Sequence, residues 1–383
     1  MNKKIKVLFL LLAVLILFGG VMNKYYTNNY KAINEDSYYM PAEDDKHEGT
    51  WLQWPHKYTY GASYQKSIED IWITMTRHLS KGENVHIIAY NNKEKNRIDG
   101  LLKKEKINME KIDFFVEKND DVWVRDNGPI FVYDRDNELK ILDWGFNGWG
   151  KKEPYKKSNA VVKNLSEKLE IERIDLKDLV LEGGAVELDG NGTFLATKSS
   201  ILNKNRNKKF TQKELEDYVG KIYGVENFIW LDGEPGIDIT DFHIDGFAKF
   251  YNNSTIIALD KSDLKEWGVS EHDIEILLGA KNIDKEKYKY KYLPLTKENV
   301  KLKGGKDLGY KGSYINFYIA NKVILVPNYN DSNDNIANNI IENLYPNKEV
   351  VGIDVRELYK EGGMIHCVTQ QQAVNLKNKV EKF

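Results

Sequence analysis

The chain of 383 residues carries 56 Lys plus Arg against 58 Asp plus Glu, a formal net charge of −2, so it has no basic footprint of the kind nucleic acid requires. Hydrophobic residues make up 41% and aromatics 12%, with 23 Tyr, enough to bury a sizeable core in one large domain or two ordinary ones. A single cysteine excludes an intramolecular disulfide and a four-sulfur zinc site, and leaves either a buried small hydrophobe or a reactive thiol.

Residues 1–6 contain three lysines, and residues 7–18 are uninterrupted apolar sequence, the basic and apolar regions of an export signal. Neither a small-residue cleavage pattern nor a lipid-accepting cysteine follows, and the apolar stretch, about sixteen residues, is slightly short for a spanning helix. Residues 1–22 are therefore expected to be a signal peptide or an N-terminal membrane anchor, with the lysines inside and the remainder extracytoplasmic. Polar residues 23–37 read as a linker and 38–383 as a single domain. Within it, apolar spacing predicts a helix over 65–79 and strands over 85–90 and 112–116. Residues 129–133 and 139–144 form a strand pair across the polar turn 134–137. A helix follows at 158–169, then a hairpin of 186–188 and 193–197 around the Gly-rich 189–192. Further along lie a helix at 211–223, a strand pair of 246–251 and 255–259, a pair of 313–319 and 322–326, a helix at 335–344 and a strand at 349–353. The lysine-rich runs 203–209 and 285–291 read as solvated faces or loops. A unit of strand pair, helix and strand recurs about every sixty to seventy residues, and about five such α/β units fill the domain around a central pocket.

Three segments place reactive side chains at strand ends or turns. In Asp121-Val122-Trp123-Val124-Arg125-Asp126-Asn127-Gly128-Pro129, acids and Arg125 flank Trp123 in a turn that faces a substrate or closes on itself as a local ion pair. In Thr240-Asp241-Phe242-His243-Ile244-Asp245-Gly246, an extended backbone would put His243 and Asp245 on one side, where both can meet one ligand. A metal pair would need further ligands, which the spacing of the other histidines does not supply. In Glu361-Gly362-Gly363-Met364-Ile365-His366-Cys367-Val368-Thr369-Gln370, the glycines permit close approach of a ligand, and in a strand His366 and Cys367 would face opposite ways. The base for Cys367 is then sought elsewhere, and His243 is the best candidate. A fourth segment, Leu181-Glu182-Gly183-Gly184-Ala185, again sets a carboxylate before a glycine pair.

Together with Asp143-Trp144-Gly145-Phe146-Asn147-Gly148-Trp149-Gly150 and Ser313-Tyr314-Ile315-Asn316-Phe317-Tyr318-Ile319-Ala320-Asn321, these segments resemble, in order, the motifs of the agmatine deiminase and bacterial peptidylarginine deiminase family. The resemblance covers about residue 40 to 372. It implies the pentein fold, five pseudo-symmetric ββαβ modules around a central active site, and a single catalytic domain. It also implies roles: Cys367 as nucleophile, His243 as general acid and base, Asp126 and Asp245 gripping the guanidinium, and Glu182 orienting His243 or completing the carboxylate set. Trp123, Asp143, Trp144, Asn147 and Trp149 would bind substrate. The sequence departs from the agmatine-type pattern at Glu187, where histidine is common, and at Gly312, where alanine is common. The first lies close to Glu182 and bears on substrate detail.

These residue types suit hydrolysis of a guanidinium. Its carbon is a poor electrophile, so a thiolate is needed. Carboxylates can accept paired N–H bonds from the planar fork, and one histidine can serve both half-reactions through a covalent thiouronium. No metal or organic cofactor is called for. The expected substrate is agmatine, hydrolysed to N-carbamoylputrescine and ammonia in putrescine biosynthesis. Residues 143–150 form an aromatic wall with Asp143 and no arginine. Peptidyl arginine, converted to citrulline, is the alternative, since Lys151 and Lys152 follow and could meet a carboxylate. Two other classes stay open: a non-catalytic extracellular binding protein for cationic ligands, and a metal-dependent amidohydrolase. Oligomeric state is not readable.

Overall fold

The computed structural model describes residues 38–376, so the export segment and linker expected at 1–37 lie outside the described residues. Among the described residues, no helix is long and apolar enough to cross a membrane. Sixteen strands there form five small sheets. The first module begins with β1 (His47–Gln53), β2 (Asn84–Ala89) and β3 (Ile112–Val116), paired in parallel. Four modules then repeat one plan, an antiparallel pair followed by a parallel third strand. They are β4 (Ile130–Tyr133), β5 (Leu139–Gly145) and β6 (Arg173–Val180); β7 (Val186–Leu188), β8 (Thr193–Thr197) and β9 (Asn227–Leu231); β10 (Ala248–Asn252), β11 (Thr255–Leu259) and β12 (Lys289–Leu293); and β13 (Tyr318–Ile319), β14 (Val323–Asn328) and β15 (Glu349–Asp354). Finally β16 (Gln370–Ala373) returns to pair antiparallel with β1, which completes the first module and closes the ring.

Parallel strands need a crossover, and here a helix covers most of them. Ser158–Leu169 links β5 to β6 and Gln212–Tyr223 links β8 to β9, the latter opened by a capping box between Thr211 and Glu214. Asp334–Leu344 links β14 to β15. Lys57–Leu79 begins earlier than its apolar spacing predicts and bends at Gly61, whose φ is 81°. Trp51, Trp54, Trp72 and Phe247 are among the fully buried side chains, each stabilising the fold by roughly 1.5–3 kcal/mol.

One expectation is corrected. The strand expected at 313–319 shrinks to Tyr318–Ile319, because the Ser313 and Asn316 side chains accept from the amides of Ile315 and His366 and hold the segment in turns. The lysine run 285–291 is a solvated face as expected: Lys289 and Lys291 lie on β12, an edge strand, with their side chains exposed. That arrangement suits an edge, where lysines discourage further pairing.

Candidate active site

The site is built from one structural position used five times. Just before the first strand of each antiparallel pair, the chain makes a short polar turn, and the five turns meet at the hub. Val124–Asn127 precedes β4 and carries Asp126; Gly183–Ala185 precedes β7 and follows Glu182. Ile244–Gly246 precedes β10 and carries Asp245, with His243 as its N-cap; the Asn316 turn precedes β13, and His366–Val368 precedes β16. His243 and Asp245 thus converge through a turn rather than an extended strand, and His366 and Cys367 share a turn rather than opposite faces of a strand.

Each turn is fixed locally. Buried Asp121 accepts from Trp123 N at 2.8 Å and Asn127 Nδ2 at 2.8 Å, which clamps the Asp126 turn; burial pushes its carboxyl up to about 7. The glycine pair before β7 lets the neighbouring turn approach. A methyl group at Gly183 would lie 2.2 Å from the Arg125 carbonyl oxygen. At Gly184 it would lie 2.8 Å from His243 Nδ1, 2.9 Å from Asp126 Oδ1 and 3.0 Å from Asp245 Oδ2. Three polar atoms therefore surround one point that glycine leaves open. At Gly363 a methyl group would strike the Trp123 ring at 2.3 Å, so Trp123 packs directly against the segment leading to Cys367.

Asp126 Oδ1 accepts from Gly184 N at 3.0 Å and Oδ2 from Trp149 Nε1 at 2.8 Å. Trp149 is presented by four successive residues with positive φ, Gly148 to Lys151, two of them not glycine, a strained conformation of the kind that gathers at functional sites. Asp241 and Phe242, immediately before His243, are also left-handed, at φ 61° and 82°. Their carbonyls are held by Ser199 Oγ at 2.7 Å and Thr197 Oγ1 at 2.8 Å, and the Asp241 carboxylate by Arg206 at 2.6 Å and Lys152 at 2.9 Å. Arg206 also donates to Glu182 at 2.9 Å.

His243 lies 3.8 Å from Asp126 and 3.5 Å from Glu182. Burial opposes its charge, but Asp126 and Glu182 outweigh that and raise it to about 9, so the ring is an imidazolium at neutral pH. Cys367 Sγ is 3.9 Å from Asp245 Oδ2 and 3.5 Å from Asn316 Oδ1. Burial, then Asp245 and Asp126, push the thiol well above its ordinary range. Burial raises Asp126 as well. Asp245 is depressed: burial alone would lift it, but His366, His243 and Lys249 bring it down.

Of the ten residues expected at the site, Cys367, His243, Asp126, Asp245 and Glu182 meet at the hub, with Trp149 bonded to Asp126 and Trp123 against the Cys367 segment. Asn147 braces the loop, accepting from Gly150 N and donating to the Asn205 carbonyl. Asp143 and Trp144 are elsewhere. Asp143 is fully buried on β5, neutralised by Arg173 and Lys177, each at 2.7 Å, and Trp144 packs on Tyr223 in the core. Sequence reasoning gave Asn316 no role, although its amide links Cys367, the His366 amide and the Asp245 carbonyl. Its position just before a first strand, equivalent to that of Asp126, is the signal that identifies it. Among the described residues, no group of three or more His, Cys, Asp or Glu is arranged to hold a metal ion. The two departures from the agmatine-type pattern also find a place. Glu187 accepts from Lys249 and the Phe250 amide, and the Tyr329 ring fills the space a methyl group at Gly312 would need.

A closed ring of five such modules with polar turns at its hub is a pentein. The chain belongs to the Porphyromonas-type peptidyl-arginine deiminase family, whose profile matches residues 39–373. The agmatine deiminase of Pseudomonas aeruginosa (strain LESB58) is 30% identical over 362 residues, 88% of this chain and 96% of that protein. The structure of the Enterococcus faecalis agmatine deiminase superposes with a TM-score of 0.81 at 25% identity, over 91% of this chain and 99% of that one. A C. jejuni agmatine deiminase with serine in place of one cysteine, solved with substrate bound, gives a TM-score of 0.76 at 26% identity over 88% of this chain and 97% of that one.

Proposed function

We propose that the chain hydrolyses agmatine to N-carbamoylputrescine and ammonia through a covalent S-alkylthiouronium on Cys367. The observation that carries this reading is the meeting of a lone cysteine, an imidazolium and the carboxylates Asp126 and Asp245 around the opening left by Gly184. A planar cation between Asp126 and Asp245 supplies the positive charge whose absence holds Cys367 as a thiol, so substrate binding itself favours the thiolate. Sulfur adds to the guanidinium carbon, giving a neutral tetrahedral intermediate. His243 gives its proton to the departing nitrogen, the C–N bond breaks and ammonia leaves. Neutral His243 then takes a proton from water, which adds to the same carbon; the C–S bond breaks, the departing thiolate takes up the hydroxyl proton, and a urea remains with Cys367 again a thiol and His243 an imidazolium.

The surroundings favour an amine-tailed substrate. Lys152, the cation that could meet a carboxylate, is already engaged by Asp241 at 2.9 Å and the Ile239 carbonyl at 2.9 Å. Beside Trp123, the Tyr60 hydroxyl is pushed upward by burial and then by the nearby acids Asp121, Glu361 and Glu153, with no cation among the causes. Peptidyl arginine is the second reading, favoured by the family's description and by exposed Lys151 in the Trp149 loop. Export through residues 1–22 belongs to the same proposal and rests on sequence alone; cell fractionation tests it.

Ammonia release from agmatine and from a peptide ending in arginine, with the Cys367→Ser variant beside each, decides between these readings. Turnover of agmatine that is lost in the variant supports the proposal. Preference for the peptide replaces the substrate, and ammonia release that survives in the variant removes Cys367 as nucleophile.

A further inference from the structure

Asp245 Oδ2, the oxygen nearest Cys367, also meets a second set of charges, here called the rear, that the reaction does not use. His366 is held at both ring nitrogens: Nδ1 lies 2.8 Å from Asp245 Oδ2, and Nε2 lies 2.7 Å from Glu43 Oε2. A neutral imidazole has one N–H, so an imidazolium is the form that satisfies both carboxylates. Glu43 Oε2 also accepts from Lys249 Nζ at 2.9 Å, and Lys249 reaches Glu187 at 3.2 Å; Arg125 stands 3.8 Å from Glu43. The cluster thus sets three acids, Asp245, Glu43 and Glu187, against three bases, His366, Lys249 and Arg125, all of them buried except part of Glu43. The groups facing Asp245 are accordingly His366 and Lys249 behind it, and His243, Asp126 and Cys367 in front.

Glu43 does not come from any of the five hub turns. It comes from the segment that enters the fold ahead of β1, residues 38–46, which runs across the back of the ring. Tyr38 N donates to the Lys221 carbonyl, Met40 N donates to the Tyr223 carbonyl, and Tyr39 pairs with Tyr133 on β4. Glu43 Oε1 then accepts from Ile319 N on β13 at 2.9 Å. The strap therefore touches several modules and delivers one carboxylate into the hub from the rear.

We propose that Glu43 is a positioning residue of the active site: through His366 it fixes the orientation and charge of Asp245, so that the rear strap governs how firmly the front of the site grips a guanidinium. In the intact cluster the charges cancel, and Asp245 Oδ2, which borders the Gly184 opening, is tied to His366. Without the Glu43 charge, one of two things happens. Either His366 keeps its proton and an uncompensated cation sits behind the binding carboxylate, or His366 releases a proton and Asp245 loses its charge-assisted partner. Both weaken the hold on a cation and leave the sulfur and His243 in place.

The inference rests on the proposed guanidinium chemistry, and its test separates the two. The full chain is compared with Glu43→Gln and Glu43→Asp, using agmatine turnover and alkylation of Cys367 by a cationic haloacetamidine and by neutral iodoacetamide. For Glu43→Gln, KM for agmatine is expected to rise about tenfold or more with a much smaller change in kcat. The preference for the cationic alkylator is expected to fall by a similar factor, and Glu43→Asp is expected to lie between. With 15N-labelled histidine, His366 should show both ring nitrogens protonated in the native chain, where each meets a carboxylate, and a changed ring-nitrogen signature in Glu43→Gln. Unchanged KM, alkylator preference and His366 protonation in folded Glu43→Gln overturn the inference. If Glu43→Gln does not fold, full cation preference in Glu43→Asp overturns it and partial loss supports it. A native chain that shows neither guanidine turnover nor cation-selective alkylation fails the proposed function instead.

Discussion

The front and rear of Asp245 are built to opposite standards. Behind it, polar groups meet at hydrogen-bonding distance: 2.7 and 2.8 Å at His366, 2.9 and 3.2 Å at Lys249. In front, Asp126 is bonded at 2.8 Å to Trp149 and at 3.0 Å to Gly184 N, but the separations among the reacting groups are long: 3.5 and 3.8 Å at His243, 3.9 Å from sulfur to Asp245. His243 Nε2 is buried and makes no hydrogen bond in good geometry. Buried polar groups are normally paired, and as an imidazolium His243 is a donor there, so a ligand's N–H groups belong at the Asp126 and Asp245 oxygens about the Gly184 opening. In the rear, His366 and Lys249 are already bonded to Glu43, while Arg125 Nη2 is buried without a hydrogen bond.

Filling the front should have the largest effect. Gly184→Ala places a methyl group at about 3 Å from His243, Asp126 and Asp245 together, and misplacement of that order at a reacting centre costs about a hundredfold or more in kcat/KM. Steady-state kinetics beside a melting curve would check it; near-native activity would mean that the opening is not where the guanidinium sits. Asp126→Asn is expected to abolish turnover while leaving the fold as stable or slightly more so at neutral pH. The Asp126 carboxyl is raised by burial, and an acid raised in the folded state destabilises that state increasingly as pH rises past its unfolded value.

The rear should respond in the reverse sense. Lys249→Met leaves Glu43 and Glu187 buried with one cation fewer, and breaking a buried pair from one side costs about 3–5 kcal/mol. Urea unfolding of the two variants side by side tests the contrast. Equal loss of stability in Asp126→Asn and Lys249→Met would erase the distinction between front and rear.

How much of this was legible in the sequence follows the same division. The front is made of turns marked by local signals: the glycine pairs at Gly183-Gly184 and Gly362-Gly363, and His243 and Asp245 two apart. Those signals single out the segments, and the family resemblance assigns Cys367, His243, Asp126, Asp245 and Glu182 within them, even where the assumed strand geometry was wrong. The rear is made of pairings distant in sequence. Glu43 and His366 are 323 residues apart, and Glu43 and Lys249 are 206. No periodicity announces such contacts. The same blindness explains Asp143: its alternation within a strand does not reveal that Arg173 and Lys177, from the neighbouring strand and the bulge after it, neutralise it. Closure of the ring by β16 on β1, two strands missed at this stage, joins the two ends of the described chain.

The mildest test concerns protons. The free enzyme holds Cys367 as a thiol and His243 as an imidazolium at neutral pH, one proton more than the reactive thiolate–imidazolium pair. A cation seated between Asp126 and Asp245 must expel that extra proton. kcat/KM should therefore climb about tenfold per pH unit through neutrality, since the free enzyme loses one proton on reaching the reactive form. It should level off near pH 9, where His243 gives up its own proton and the free enzyme becomes isoprotonic with the reactive complex. Binding of agmatine to Cys367→Ser, which has no thiol to ionise, should release no such proton, whereas alkylation of the native thiol by a cationic reagent should show the same rise. A bell centred on neutral pH would mean that the thiolate already exists in the free enzyme, and the loose front of the site would then need another explanation than a charge waiting for its counter-ion.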